Sequence, residues 1–480
     1  MRAHAVVLVA LLLASCDSEK ADTAPPDGDA DTDTDADGDA DVDSDTDADT
    51  GTPDCLDADA DGLTDADEAT AGTDPHDPDS DDDGQSDGAE VALGTNPLDP
   101  TARTDGLWVV VPEGCDVEQE VNLDLRIRRV DLAFHVDTSG TVDTLADAMW
   151  REFGDIASDL GTVVEDMAYG YATFVDYTCC GWGDPSAGDR PWILQQQVTT
   201  DTDLVYEAIR ATPANLGSGH PDGVEALYQT ATGAGYDMAC DGVYDEESDI
   251  LPFLASSSDP FGGTAGEGYD PSTPGGGTRG GLGFREGALP VLMYGTCLHI
   301  RDPDAGDPSP GGCPFDAGSE DLAPALSELG GILLAIDMFG RGDYDGEMTA
   351  LAVVTDSYGD TDGDGEVDDP LVFEWWGSST TFLTTVVEGV ELALDARTFG
   401  RVEVWASGDP RFLHGVDPGA YTDIRPGLAG TQVSFTLTFH GGVPAEEETQ
   451  TFPITVSVMG DRSVLLATET LSVVVPAASP

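Results

Sequence analysis

Basic side chains are scarce in this sequence: 18 Lys and Arg stand against 95 Asp and Glu in 480 residues, a formal net charge of -77. So negative a field repels nucleic acid and anionic lipid surfaces while concentrating divalent cations, so nucleic acid is excluded as a partner. Beyond the N-terminus no apolar run reaches the roughly 18 residues that a membrane-spanning helix needs. Histidine is sparse and scattered, at positions 4, 76, 135, 220, 299, 414 and 440, and no HExxH, GxSxG or GxxxxGK[ST] occurs. His135 falls within a predicted strand, where a satisfied core histidine is expected. Paired carboxylates are too abundant to point to acid-base chemistry. No enzymatic activity is expected.

What is present begins with an export signal. Arg2 precedes an apolar run from Ala5 to Leu13, followed by Ala14, Ser15 and Cys16. This stretch is too short for a stable span and reads as a secretory signal. Leu13-Ala14-Ser15-Cys16 resembles the lipobox of bacterial lipoproteins, which implies cleavage before Cys16 and a lipid on its sulfur. By that resemblance the chain is exported and lipid-anchored in the bacterial cell envelope, with the lipid its only membrane attachment. Asp17 resembles an inner-membrane retention signal of some enteric bacteria, and which membrane holds the anchor stays open. Cys55, Cys115, Cys179, Cys180, Cys240, Cys297 and Cys313 remain. Export favours disulfides for most of them, with Cys297 and Cys313 the nearest local pair. Adjacent Cys179 and Cys180 do not bond each other without strain, and the odd count leaves one thiol free or paired with another chain. No CxxC spacing suggests a zinc site.

Five regions follow from composition: the signal and lipidated cysteine (1–16), an aspartate-rich tether (17–54), calcium-binding repeats (55–103), an α/β region (104–397) and a C-terminal β-sandwich (398–480). From Asp27 to Asp49 every second residue is aspartate. Like charges with no apolar face offer nothing to offset ordering entropy, so a disordered, extended spacer is expected.

Two units offset by 22 residues come next. The first places Asp57, Asp59, Asp61, Leu63 (through its carbonyl), Asp65 and Glu68 at loop positions one, three, five, seven, nine and twelve, with Gly62 at six. The second places Asp79, Asp81, Asp83, Gln85, Asp87 and Glu90 in the same way, with Gly84 at six. This is the spacing that wraps a loop around Ca2+. Each unit ends alike, in Gly72-Thr73-Asp74-Pro75 and Gly94-Thr95-Asn96-Pro97. The arrangement resembles thrombospondin type 3 calcium-binding repeats and related bacterial stalk proteins. A third acidic loop carries Asp360, Asp362, Asp364, Glu366 and Asp368 with Gly365 at six. Its twelfth position is Leu371, so a carboxylate there has to come from Asp369 or Glu374, if at all.

From residue 104 strand and helix periods alternate. Val121 to Val136 reads as a strand leading into a buried parallel strand. A helix follows from Leu145 to Leu160, then a strand from Tyr169 to Tyr177 and a helix from Gly223 to Thr230. Next come a strand from Leu289 to Met293, a helix from Leu322 to Leu329, a strand from Ile332 to Ile336 and a helix from Thr381 to Leu394. These specify an α/β fold with a doubly wound, mainly parallel sheet. Glycine-rich residues 255–287 read as a surface insertion. Beyond Arg397 short strands at Val402–Trp405, Gln432–Phe439, Phe452–Met459, Val464–Ala467 and Leu471–Val475 suggest a small β-sandwich.

Asp137-Thr138-Ser139-Gly140-Thr141 follows directly on the first buried strand, and open α/β sheets bind ligands where loops leave the carboxyl ends of strands. One carboxylate and two hydroxyls suit Mg2+ or Mn2+ that keeps several waters. The loop resembles the metal-ion-dependent adhesion site of von Willebrand factor A domains, with the resemblance covering residues 120–397. Leu216 to Gly223 resembles the segment from which integrin β-subunit domains supply an acidic ligand. The resemblance implies a metal held by Asp137, Ser139, Thr141 and Asp222, and an unidentified protein or surface ligand bound through a carboxylate. Two departures stand against it: no GxT loop is evident, and Gly295 ends a strand that in such domains usually ends in Thr-Asp. The rival expectation is a structural surface protein with a degenerate A-like domain that binds no partner and a calcium-rigidified spacer.

Overall fold

The computed structural model describes residues 55–478 apart from 140–142, 178–182, 184–188, 213–222, 239, 245–248, 254–268, 271, 309–315, 342, 344 and 345. Cys16, the tether, Thr141, Asp222, Cys179, Cys180 and Cys313 therefore lie outside the described residues. The protein is mixed α/β, with eight helices and four sheets among the described residues.

Two short helices, α1 (Asp65–Ala71) and α2 (Asp87–Leu93), follow the first two acidic loops. Thr64 and Ser86 cap their N-termini by accepting amide hydrogen bonds, and Gly72 and Gly94 end them in the left-handed conformation. Strands β1 (Leu107–Val110) and β2 (Asp116–Leu125) come next, then β3 (Arg129–Asp137), α3 (Asp143–Val163) and β4 (Asp166–Phe174). After β5 (Ile193–Thr199) lie α4 (Thr202–Ala211), α5 (Gly223–Thr232), β6 (Leu289–Thr296), α6 (Ser319–Leu329), β7 (Ile332–Met338) and α7 (Glu347–Val354). A hairpin of two-residue strands, β8 (Tyr358–Gly359) and β9 (Asp369–Pro370), precedes β10 (Val372–Trp375) and α8 (Ser379–Ala396). The remainder is strand: β11 (Val402–Ser407), β12 (Leu413–Asp417), β13 (Thr431–His440), β14 (Gln450–Gly460) and β15 (Val464–Val475).

The central sheet has the order β10-β7-β6-β3-β4-β5, all parallel except β5 at one edge. Strand β3 is buried along nearly its whole length because both its faces are covered. Its Leu132, Phe134 and Val136 face α3, whose Leu145, Met149, Phe153, Ile156 and Leu160 form a single buried stripe. Helix α3 packs on α4 and α8, while α5, α6 and α7 group together, with their buried residues in a second core that includes Ala133 of β3. Alternate residues of β3 point to that second side, among them Asp131, His135 and Asp137. His135 bonds Thr230 Oγ1 at 2.6 Å and Met293 O at 3.2 Å, and burial pushes it down to about 4, so it is a neutral core residue.

A strand expected to lead into the α/β sheet has another partner. β2 runs antiparallel to β13 over ten residues, from Asp116 opposite His440 to Leu125 opposite Thr431. β1 lies parallel to β15, in a sheet of order β1-β15-β14-β11, and β12-β13-β2 forms the facing sheet. The C-terminal sandwich is thus completed by strands that precede the α/β sheet in sequence. One apolar cluster runs from it into the α3 side of that sheet, including Val121, Leu437, Val456 and Phe134.

The described part of the glycine-rich insertion is also packed inward. Leu282 and Phe284 are fully buried, and a Cβ on Gly281 would lie 2.0 Å from the Gln229 carbonyl oxygen of α5. These glycines permit close approach of backbones. Arg285 closes the segment onto the sheet: its Nε lies 2.6 Å from Asp131 Oδ1, its backbone amide donates to Asp131 Oδ2, and Asp166 takes its other side.

Candidate metal centres

In the first repeat Asp57 accepts the amides of Ala60 (2.8 Å) and Gly62 (2.8 Å). In the second, Asp79 accepts those of Asp83 (3.1 Å) and Gly84 (2.7 Å). Gly62 and Gly84 both take φ 89°, the left-handed turn that lets the loop close. Asp65 and Asp87, at position nine, accept the amides of Ala58 and Ser80, which ties the end of each loop to its start. Leu63 and Gln85 bury their side chains; Gln85 Oε1 takes the Thr104 amide.

The remaining oxygens fit a cation. Both carboxylate oxygens of Asp59, Glu68, Asp81 and Glu90, and Asp83 Oδ2, are buried without a hydrogen-bond partner among the described residues. Glu68 and Glu90 are wholly inaccessible. One oxygen each from Asp57, Asp59 and Asp61 lies within 4.8 Å of the others, and the same holds for Asp79, Asp81 and Asp83. Burial first, and then neighbouring aspartates, pushes Glu68 and Glu90 up to about 7. A hard dication at the centre satisfies those orphaned oxygens and removes their mutual repulsion.

The third loop is half of such a site. Asp360, Asp362 and Asp364 gather within 4.8 Å, and Gly365 (φ 95°) donates to Asp360 while Glu366 donates to Asp364. Burial and the surrounding acids raise Asp368. Leu371 is buried in the core, Asp369 Oδ2 is taken by Thr361 and Asp362, and Glu374 accepts from the Trp376 indole. A fourth turn, unmarked in the sequence reading, repeats the scaffold: Asp237 accepts from Gly242 and Asp241 accepts from Val243. No third carboxylate joins it among the described residues.

Asp137 lies elsewhere, at the carboxyl end of β3. The strand order reverses between β3 and β6, so Asp137 borders the crevice where open α/β sheets take ligands. It is fully buried; Oδ1 accepts the Ser139 amide at 2.8 Å and Oδ2 the Thr296 hydroxyl at 2.7 Å. Burial, opposed by those hydrogen bonds, pushes it up to about 6. Ser139 is 1% exposed; its hydroxyl and that of Thr138 have no hydrogen-bond partner among the described residues, although the Ser139 side chain lies close enough to Asp137 to favour its charged form. Thr296 was not singled out in the sequence because β6 was expected to end at Met293; the hydroxyl-bearing residue after Gly295 was the available signal.

Residues 57–78 and 79–100 each match the bacterial TSP3 repeat family. The acidic segment is therefore a pair of calcium-binding repeats of that type. No curated protein sequence matches the chain. Among solved structures, the pilus adhesin SpaC from Lactobacillus rhamnosus GG, in its open conformation, aligns at a TM-score of 0.31 and 9% identity. That alignment covers 75% of this chain and 46% of the adhesin. Another form of SpaC aligns at 0.32, with the same identity and coverage. The chain spans less than half the adhesin's length. No described helix is long and apolar enough to cross a membrane.

Proposed function

We propose that this is a lipid-anchored cell-envelope protein whose α/β region is a von Willebrand factor A-like adhesion or binding domain, carried on calcium-loaded repeats. The sheet order, with one antiparallel edge strand, supports the A-like reading. The observation that carries the adhesive reading is the placing of buried Asp137 beside the buried Ser139 hydroxyl at the sheet's switch point. Asp137 and Ser139 would hold Mg2+ or Mn2+, and an open position on the ion would take a carboxylate from a protein or surface ligand. Thr141 and Asp222 belong to the same proposal.

A second reading is favoured by one observation: each Asp137 oxygen already accepts a hydrogen bond and the residue has no exposed surface. In that reading the domain is structural and binds no cation. Electron paramagnetic resonance of Mn2+ added to the full chain in saturating Ca2+ separates the two. The adhesive reading expects one bound Mn2+ that is lost in Asp137→Ala with the fold intact. Equal Mn2+ binding by wild type and variant, or none by either, leaves the structural reading standing.

A further inference from the structure

The sequence scatters seven histidines, yet the fold stacks two of them. The rings of His414 and His440 lie 4.8 Å apart at 21°. His440 ends β13, directly opposite Asp116 of β2, and its Nδ1 is 2.6 Å from Asp116 Oδ1. His414 lies on β12 where the pairing with β13 slips: Leu413 is opposite Phe439 but Gly415 is opposite Thr438. His414 is therefore the extra residue of a bulge, the device by which a strand re-aims a side chain. It turns His414 onto the His440 ring, so His414, His440 and Asp116 form a row across the sheet β12-β13-β2.

We infer that this row is a transition-metal site, separate from the oxygen-lined calcium loops and independent of the adhesive reading. In the tautomer protonated at Nδ1, His440 donates that N–H to the Asp116 carboxylate and keeps the Nε2 lone pair available, the carboxylate-histidine arrangement that orients metal-binding imidazoles. His414 is exposed, so its ring is free to rotate from the stack and present a second nitrogen. Two imidazoles with water completing the shell suit Cu2+, Ni2+ or Zn2+, whereas Ca2+ prefers oxygen. Arg411, three residues before His414, is held by Asp409 at 2.5 Å. The chain's large negative charge draws any dication toward it.

The test is Cu2+ added to the full chain in saturating Ca2+, followed by electron paramagnetic resonance. A bound Cu2+ with hyperfine coupling to two imidazole nitrogens is expected. His414→Asn and His440→Asn each should abolish the two-nitrogen signal, and Asp116→Asn should weaken binding about tenfold or more. Oxygen-only coordination, or a two-nitrogen signal unchanged in both histidine variants, overturns the site. Unchanged affinity in Asp116→Asn alone removes the orienting role of Asp116. His414 is exposed, so its variant keeps the measurement valid should His440→Asn fail to fold.

Discussion

Asp61, a calcium-loop residue of the first repeat, accepts the amide of Gly88 in the second at 2.6 Å, while its other oxygen takes the Leu63 amide at 2.7 Å. The two repeats are thus joined through one carboxylate. A Cβ on Gly88 would lie 2.6 Å from the Asp61 carbonyl oxygen, and one on Gly62 would lie 2.5 Å from Val110 Cβ of β1. The first loop is pressed between the second repeat and the sandwich.

Gly88→Ala follows from that contact. The added methyl forces loop and helix apart at a cost of about 1–3 kcal/mol, and displaces Asp61 from the first loop. Calorimetric Ca2+ titration should show the first site weakened most, because the methyl meets its loop directly, and the second weakened less, since Asp87 and Glu90 share helix α2 with Gly88. Two unaltered sites would mean that Asp61 does not couple the repeats.

Calcium removal should act regionally. Without the ion the inaccessible Glu68 and Glu90 face neighbouring aspartates with no counter-charge, so residues 57–100 lose order. Hydrogen exchange after chelation should speed there, and in β1 against which Gly62 packs, while amides of β3 and β6 stay protected. Uniform loss of protection would contradict this.

His135 gives a pH prediction. Its folded value of about 4 lies below the ordinary value of 6.5, so the unfolded chain takes up a proton that the folded one refuses. Its contribution is fully present above pH 6.5 and is lost as pH falls toward 4, up to about 1.4 kcal/mol per pH unit. Measured in saturating Ca2+, the stability of His135→Gln should fall less steeply than that of wild type between pH 6.5 and 4. Parallel slopes would show that His135 titrates alike in the folded and unfolded chain.

Sequence periodicity carried much of this fold. The ligand spacing in each repeat depends on residues within twelve positions of one another, and the structure brings Asp57, Asp59 and Asp61 together as that spacing implies. The central strands and helices were legible from their apolar stripes, as in α3. Partners far apart in sequence were not: the alternation of Val121, Leu123 and Leu125 announces a half-buried strand but says nothing of β13. Glycines 277 to 283 read as surface because a single sequence does not distinguish glycine needed for a turn from glycine needed for contact. His414 and His440 looked isolated because only a bulge sets them face to face. Thr296 was hidden in the same way, since its hydroxyl meets Asp137 only through the pairing of β3 with β6.

Cys55 is bonded to Cys115, the residue before β2. Tension arriving along the chain at residue 54 therefore crosses the sulfurs and enters β2 directly. Residues 56–114, with both calcium loops and β1, lie inside the loop this bond closes, so the covalent path from Cys55 to β2 bypasses them. The first paired strand on that path is β2, held to β13 along ten residues.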